Sequence, residues 1–272
     1  MKRKKIFTIF IIILIGFIIY AVGYFGYKNY INYQKANTRQ QLFSELKPVK
    51  LKNCTFKRFG DAHDGGYLLC ANLMHDVTSA YSYGIDGRDK WGCDISKMYN
   101  VNVHQYDCFN TTRPACTNGK FIFHEECVGD KYSKQDNKIF DSIKNQIIKN
   151  SDQNKKLVMK IDVEGAEWDS FLATPDEVLN NIEQLIVEFH WVDQKKYIHV
   201  IQKLKKTFYP VNVHFNNHVC YNKITPFTTF AYEVLFVNKR IGIIDNIQPD
   251  HPAPNPLDAP NNPQKKDCQV SW

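Results

Sequence analysis

Three hydropathy patterns succeed one another along the chain. Residues 6–27 carry no charged side chain and are dominated by Ile, Phe and Leu, enough as a helix to cross a hydrocarbon layer about 30 Å thick. Residues 28–50 are polar and poorly patterned, which predicts a stem. From residue 51 to about 240, short apolar runs alternate with amphipathic stretches. Strands are expected over 78–85, 101–106, 120–124, 157–161, 184–190, 211–215 and 231–237, with a β-type preamble over 58–69. Helices are expected over 94–99, with Asp94 as N-cap, over 139–148, 166–172 and 197–208. For 139–148 the warrant is Ile139, Ile143 and Ile147 at helical spacing, joined by Phe140 and Ile148. Strands alternating with helices predict an α/β sheet. From 241 to 272 a proline-rich, irregular tail ends the chain, with Cys268 as a candidate pin.

Candidate chemistry falls where these strands end. In an open α/β sheet, ligands sit outside the carboxyl ends of the strands. The strand over 78–85 closes in Gly84-Ile85-Asp86-Gly87, where glycine lets backbone approach a ligand, though an ordinary β-to-α turn reads the same. Asp107 follows the next strand, 23 residues after Gly84, a spacing that suits the ribose hydroxyls of an adenosine cofactor or a solvated loop carboxylate. The stretch 160–168, K-I-D-V-E-G-A-E-W, ends the fourth strand with Asp162 and Glu164 and turns at Gly165. His190 ends the fifth. Asp162, Glu164 and His190 suit a general base or a divalent-metal cradle, with Asp162 and His190 as candidate ligands. Glu164 capping its own turn, and a structural imidazole at His190, are the competing readings. His214 and His218 lack the further ligands of a zinc site.

The stretch 160–168 resembles the signature of FkbM-type S-adenosylmethionine-dependent methyltransferases, and is similar to the methyltransferase-like domain of animal membrane-anchored proteins. R-F-G-D-A-H-D-G-G-Y at 58–67, Y-S-Y-G-I-D at 81–86 and I-V-E-F-H at 186–190 extend the resemblance, in order, over residues 51–240. D-G-G-Y taken alone would equally serve a tight hairpin. The resemblance implies a class I methyltransferase-like Rossmann sheet with an antiparallel closing strand. It further implies S-adenosylmethionine bound at Gly84, Asp86, Gly87 and Asp107, and methyl transfer to a hydroxyl of a glycan or other small acceptor through Asp162, Glu164 and His190. The third position of the usual G-x-G-x-G turn is Asp86 here, so a module that kept the fold and lost turnover stays open. A third reading is a lumenal glycosyltransferase using Asp162-x-Glu164 as its metal site.

Charge and cysteines place the chain. The net charge is +7, but Lys2, Arg3, Lys4 and Lys5 supply four of it, and the remainder, 31 basic against 28 acidic residues, is no nucleic-acid footprint. The basic cluster before the apolar stretch predicts a cytoplasmic tail over 1–5, a signal anchor over 6–27, and an ER or Golgi lumenal domain. Residues 6–27 exceed a cleavable signal's apolar core, and no clear small-x-small cleavage site precedes Lys28. All eight cysteines lie past the anchor, without a C-x-x-C pair, which predicts disulfides and no structural zinc. The sequons at Asn53 and Asn110 are compatible with a lumen.

Overall fold

The computed structural model describes residues 2–221, 223–246, 255–268, 270 and 272, with residues 2–15 and 19 described by backbone alone. A helix α1 (Lys2–Glu45) precedes the hairpin β1 (Phe56–Gly60) and β2 (Gly66–Cys70). β3 (Ser79–Tyr83), α2 (Lys90–Tyr99), β4 (Asn102–Tyr106) and β5 (Lys120–His124) follow. A small sheet of β6 (Cys127–Gly129), β7 (Ser133–Gln135) and β8 (Lys138–Ser142) leads into α3 (Ile143–Lys149). Then come β9 (Leu157–Asp162), α4 (Glu167–Ala173), α5 (Asp176–Leu179) and β10 (Ile182–His190). The last are α6 (Lys195–Thr207), β11 (Phe208–Phe215) and β12 (Ala231–Asn238).

The main sheet has seven strands in the order β11-β12-β10-β9-β3-β4-β5. Neighbours from β10 to β5 pair in parallel, and β12 enters antiparallel between β10 and β11. This mostly parallel α/β sheet is compatible with a Rossmann-like fold. The chain runs outward from β3 to β5 and returns beside β3 as β9, so the order reverses there. Crevices at such reversals collect ligands.

Strand alternation gives the two faces different contents. Tyr83, Met159, Ile161, Val187, Phe189 and Phe236 bury one face with residues of α3 to α6 and the end of α1. On the other, Ala80, Val103, Val158, Ile186 and Leu235 pack with α2 and the hairpin. Towards the carboxyl ends this second face turns polar. Asp162 pairs in register with Glu188, Glu188 with Glu233, and Glu233 with His214, a row of ionisable side chains crossing adjacent strands.

Several expectations are corrected. The stem expected over 28–50 is helical through Glu45, and its last turns bury Thr38, Leu42 and Phe43 against the domain. Arg39 ties them down by pairing with Asp193 at 2.7 Å. The helix expected at 94–99 starts at Lys90, because Asp89, not Asp94, caps it by accepting from the Gly92 N–H at 2.7 Å. Asp94 instead accepts from the Gly60 N–H. Ile139 and Phe140 lie in β8, and Ser142 starts the helix by accepting from the Asn145 N–H. The tail is irregular but packed: Asn261 is buried, its Nδ2 donates to Glu233 at 2.8 Å, and Trp272 stacks on Phe43 at 4.2 Å.

Among the described residues no helix is long and apolar enough to cross a membrane. Much of the span expected at 6–27, namely 6–15 and Ile19, lies outside the described side chains. The cysteines pair as Cys54–Cys70, Cys93–Cys116, Cys108–Cys127 and Cys220–Cys268, as an oxidising, secretory-pathway environment allows. Cys268 does pin the tail. Both sequon amides are engaged internally: Asn53 Nδ2 donates to the Ile241 carbonyl and Asn110 Nδ2 to Asp86, each at 2.8 Å.

Candidate functional site

Two cavities open at the carboxyl ends of β3 and β9. The larger, about 320 Å³, is walled by Tyr83, Phe109, Val128, Phe140 and Val163 with Asp107 and Asn110. The smaller, about 240 Å³, is polar, walled by Asp61, Asp64, Tyr67, Arg88, Lys90 and Lys160. Gly84, Asp86, Asp162 and Glu164 line both. The β3 turn and the β9 turn thus form a shared partition.

Each turn has a local cause. Gly84 has φ +67°, and a Cβ there would sit 1.6 Å from the Asp162 carbonyl oxygen, so glycine is required for the two turns to touch. Its neighbour is therefore the backbone of β9, not only a ligand. Gly87, at φ +73°, lines neither cavity; its missing Cβ makes room for Asn110 and Thr112. Asp107 is buried, and its carboxylate accepts four amide bonds, from Ile85, Asp86, Phe109 and Asn110, at 2.9–3.2 Å. A carboxylate has about four acceptor sites, so Asp107 is saturated and shapes the wall. Asp86, which accepts from Asn110, keeps its second oxygen without a hydrogen-bond donor among the described residues.

At the end of β9 the sequence-predicted trio does come together. His190 Nε2 lies 3.4 Å from Glu164 and 4.0 Å from Asp162. Glu164 is 86% exposed and extends from a backbone at φ +54°. Sequence reasoning missed three further residues. Glu167, fully buried in the first turn of α4, accepts from the Gly165 and His190 N–H groups at 2.8 and 2.7 Å, and faces His190 Nδ1 at 3.3 Å. Lys160 donates to the Tyr83 and Gly84 carbonyls at 3.3 and 2.8 Å, bracing the partition. Glu188, in register with Asp162, is 5% exposed. A glutamate between Val187 and Phe189, two residues before His190, was the available signal for it.

Electrostatics follow from burial. Burial pushes the Glu188 carboxyl well above its ordinary range, and neighbouring Asp162 and Glu233 push it further. Burial also raises Asp162; Lys160 and His190 oppose that, and Glu164 and Glu167 add to it. Burial alone would lower His190, but Glu167, Glu188 and Asp162 outweigh it and raise the imidazole to about 9. The result is an acidic pocket with one cationic ring held inside it. Among the described residues, six of the non-glycine residues with left-handed backbone are Asn, Asp or Ser, short polar side chains that hydrogen-bond locally. The other two, Glu164 and Trp191, flank this site, and Trp191 presents an indole that is 55% exposed. Bulky residues in such strained conformations concentrate at working sites.

Compared with models of protein families, with curated proteins and with solved structures, the chain matches none.

Proposed function

We propose that this chain is an S-adenosylmethionine-dependent methyltransferase acting on a hydroxyl of a glycan or other secretory-pathway acceptor. The observation that carries the reading is the pair of cavities meeting at Gly84, Asp86, Asp162 and Glu164. Methyl transfer is an in-line displacement, so donor and acceptor must approach the methyl carbon from opposite sides. The larger cavity, with Phe109, Val128 and Phe140, suits an adenosine, whose apolar base faces aromatic and aliphatic walls. Asp86 then meets the ribose hydroxyls, while Asp107 holds the loops that shape the pocket. The polar cavity suits a hydroxylated acceptor. The closing strand β12, antiparallel beside β10, agrees with the sheet that the sequence resemblance implies.

When bound, S-adenosylmethionine supplies an electrophilic methyl on a sulfonium. The acidic surroundings of Asp162 and Glu164 favour that positive charge. Glu164 is within reach of solvent and of His190, and accepts the acceptor's proton; Glu167, facing Nδ1, orients the His190 ring beside it. Four disulfides fit the lumenal setting, and the N-terminal segment is read as its signal anchor, giving a type II membrane topology. Phe17, Ile18, Val22 and Phe25 on α1, exposed among the described residues, support that anchor.

Incubating the full-length protein in detergent with methyl-labelled S-adenosylmethionine and a lumenal glycan extract tests the reading. Label in alkali-stable ethers, lost in Glu164→Gln, is the expected result. Label confined to protein side chains, or absent with every hydroxylated acceptor, counts against it.

A further inference from the structure

Asp162 and Glu188 are register partners on adjacent parallel strands, and His190 lies two residues beyond Glu188, so strand alternation puts all three side chains on one face. One ligand atom from each lies within 4.8 Å of the others. The buried Glu188 accepts one hydrogen bond, from Asn216 Nδ2 to Oε1 at 3.0 Å, and its other oxygen receives none among the described residues. Asp162 accepts no hydrogen bond from a described side chain. Its nearest cationic nitrogens are Lys160 Nζ at 3.6 Å and His190 Nε2 at 4.0 Å. Lys160 is committed to the Tyr83 and Gly84 carbonyls. Glu188 is buried, while Asp162 is 25% exposed and opens to the cavities, so their oxygens without donors are placed to hold a cation between them.

The surroundings are those of a ligand set. Metal-binding histidines characteristically turn their second ring nitrogen to a carboxylate, which fixes tautomer and orientation. Here Glu167, itself pinned by two backbone amides, faces His190 Nδ1 and turns Nε2 towards Asp162 and Glu164, 4.0 and 3.4 Å away. Asn216 does the same for Glu188. No thiolate is in reach, because all eight cysteines are in disulfides.

We propose that Asp162, Glu188 and His190 form a binding site for a divalent cation of the Mn²⁺ type. Two carboxylate oxygens with one imidazole nitrogen suit a hard-to-borderline ion, and the absence of sulfur ligands disfavours soft ones. Asp162 lines both cavities while Glu188 and His190 line neither, so the cation lies beside their junction, reached past Asp162. Its open coordination positions take the acceptor hydroxyl, whose oxygen it polarises. This role rests on the methyl-transfer reading. In it the methyl–sulfur bond breaks as the oxygen–methyl bond forms, the bonding electrons of the sulfonium stay on sulfur, and the hydroxyl proton passes to Glu164.

Cation binding can be measured without the donor. The full-length protein, stripped with chelator, is titrated with MnCl₂ while free Mn²⁺ is followed by electron paramagnetic resonance and unfolding by circular dichroism. One Mn²⁺ per chain with a rise in melting temperature is expected. Glu188→Gln and Asp162→Asn should each abolish both while folding as wild type, and Glu167→Gln should weaken binding about 10–100-fold by freeing the imidazole. Should one variant fail to fold, the other decides. No Mn²⁺ bound at about 1 mM, or unchanged binding in a folded Glu188→Gln, overturns the site. Mn²⁺ bound by a protein that fails to bind S-adenosylmethionine keeps the site and sinks the methyl-transfer reading, and the reverse pattern does the opposite.

Discussion

Along β9 and β10 alternate residues go to opposite faces of one sheet, and the two faces differ in kind. Leu157, Met159 and Ile161, with Leu185, Val187 and Phe189, enter an apolar layer closed by helices. Their neighbours Lys160, Asp162, Glu188 and His190 enter a polar layer closed by the β1–β2 hairpin and the tail, where burial raises the acids. The first face lowers the free energy of the fold at each position. On the second, Asp162 and Glu188 raise it, since carboxylates without donors are poorly solvated there when ionised. Titratable groups so perturbed beside a cleft mark a candidate functional site. The contrast teaches that stability and chemistry are separated by strand alternation, one residue apart.

Substitutions should therefore have opposite consequences on the two faces. Phe189→Ala, on the apolar face, should cost about 3–5 kcal/mol of unfolding free energy in denaturant titrations, through lost burial and a residual cavity. A loss under about 1 kcal/mol would show that this layer is looser than its packing indicates.

The buried histidines give the next largest effect, with opposite signs. Burial holds His104 neutral, down to about 4, against the pull of Asp152; His124 and Lys155 add to the lowering. Its contribution is whole above the unfolded value of about 6.5 and is lost as pH falls towards 4, on the order of 3 kcal/mol. On the polar face His214 is opposed by burial but raised to about 11 by Asp267 and Glu233. Its contribution is whole below about 6.5 and is lost as pH rises towards 11. Melting temperature against pH should fall on both sides, with His104→Gln flattening only the acid limb and His214→Gln only the alkaline one. A shared change in both limbs would break the assignment.

Cys220–Cys268 tethers the tail over the polar face. Cys268→Ala with Cys220→Ala should cost about 2–4 kcal/mol and expose the tail to limited proteolysis while β9 and β10 stay protected. Glu188→Gln should do almost nothing to stability, within about 1 kcal/mol or slightly favourable in metal-free protein, while reducing turnover at least about a hundredfold. A clear loss of melting temperature would place Glu188 with the stabilising groups instead. The smallest effect belongs to Trp191→Ala, which relieves little strain and removes only a contact with Phe230 at the edge of the core. Its expected signature is a higher KM for acceptor with melting temperature unchanged.

Much of this contrast was legible in the sequence. The strands were readable because buried β-branched and aromatic runs such as 157–161 and 184–190 have no helical alternative of that length. Asp162 and His190 were readable because they end such runs. Other features depend on contacts between distant segments. Asp107 sits at the spacing expected of a ribose ligand, yet four backbone amides claim it. Ile139 fits a helical period that Ser142 interrupts by capping. Glu188 was hidden because a glutamate within a strand carries no sign of its partner; only the β9–β10 register places it against Asp162. The tail's packing was equally hidden, since Asn261 and Asp267 find Glu233 and His214 through tertiary contacts alone.

Calorimetric titration of the full-length protein with S-adenosylmethionine, and separately with a nucleotide sugar plus Mn²⁺, tests the central claim most directly. The account predicts that S-adenosylmethionine binds at one site per chain, that Asp86→Ala weakens it about tenfold or more by removing a ribose acceptor, and that the nucleotide sugar gives no heat. Heat with the nucleotide sugar and none with S-adenosylmethionine would contradict it.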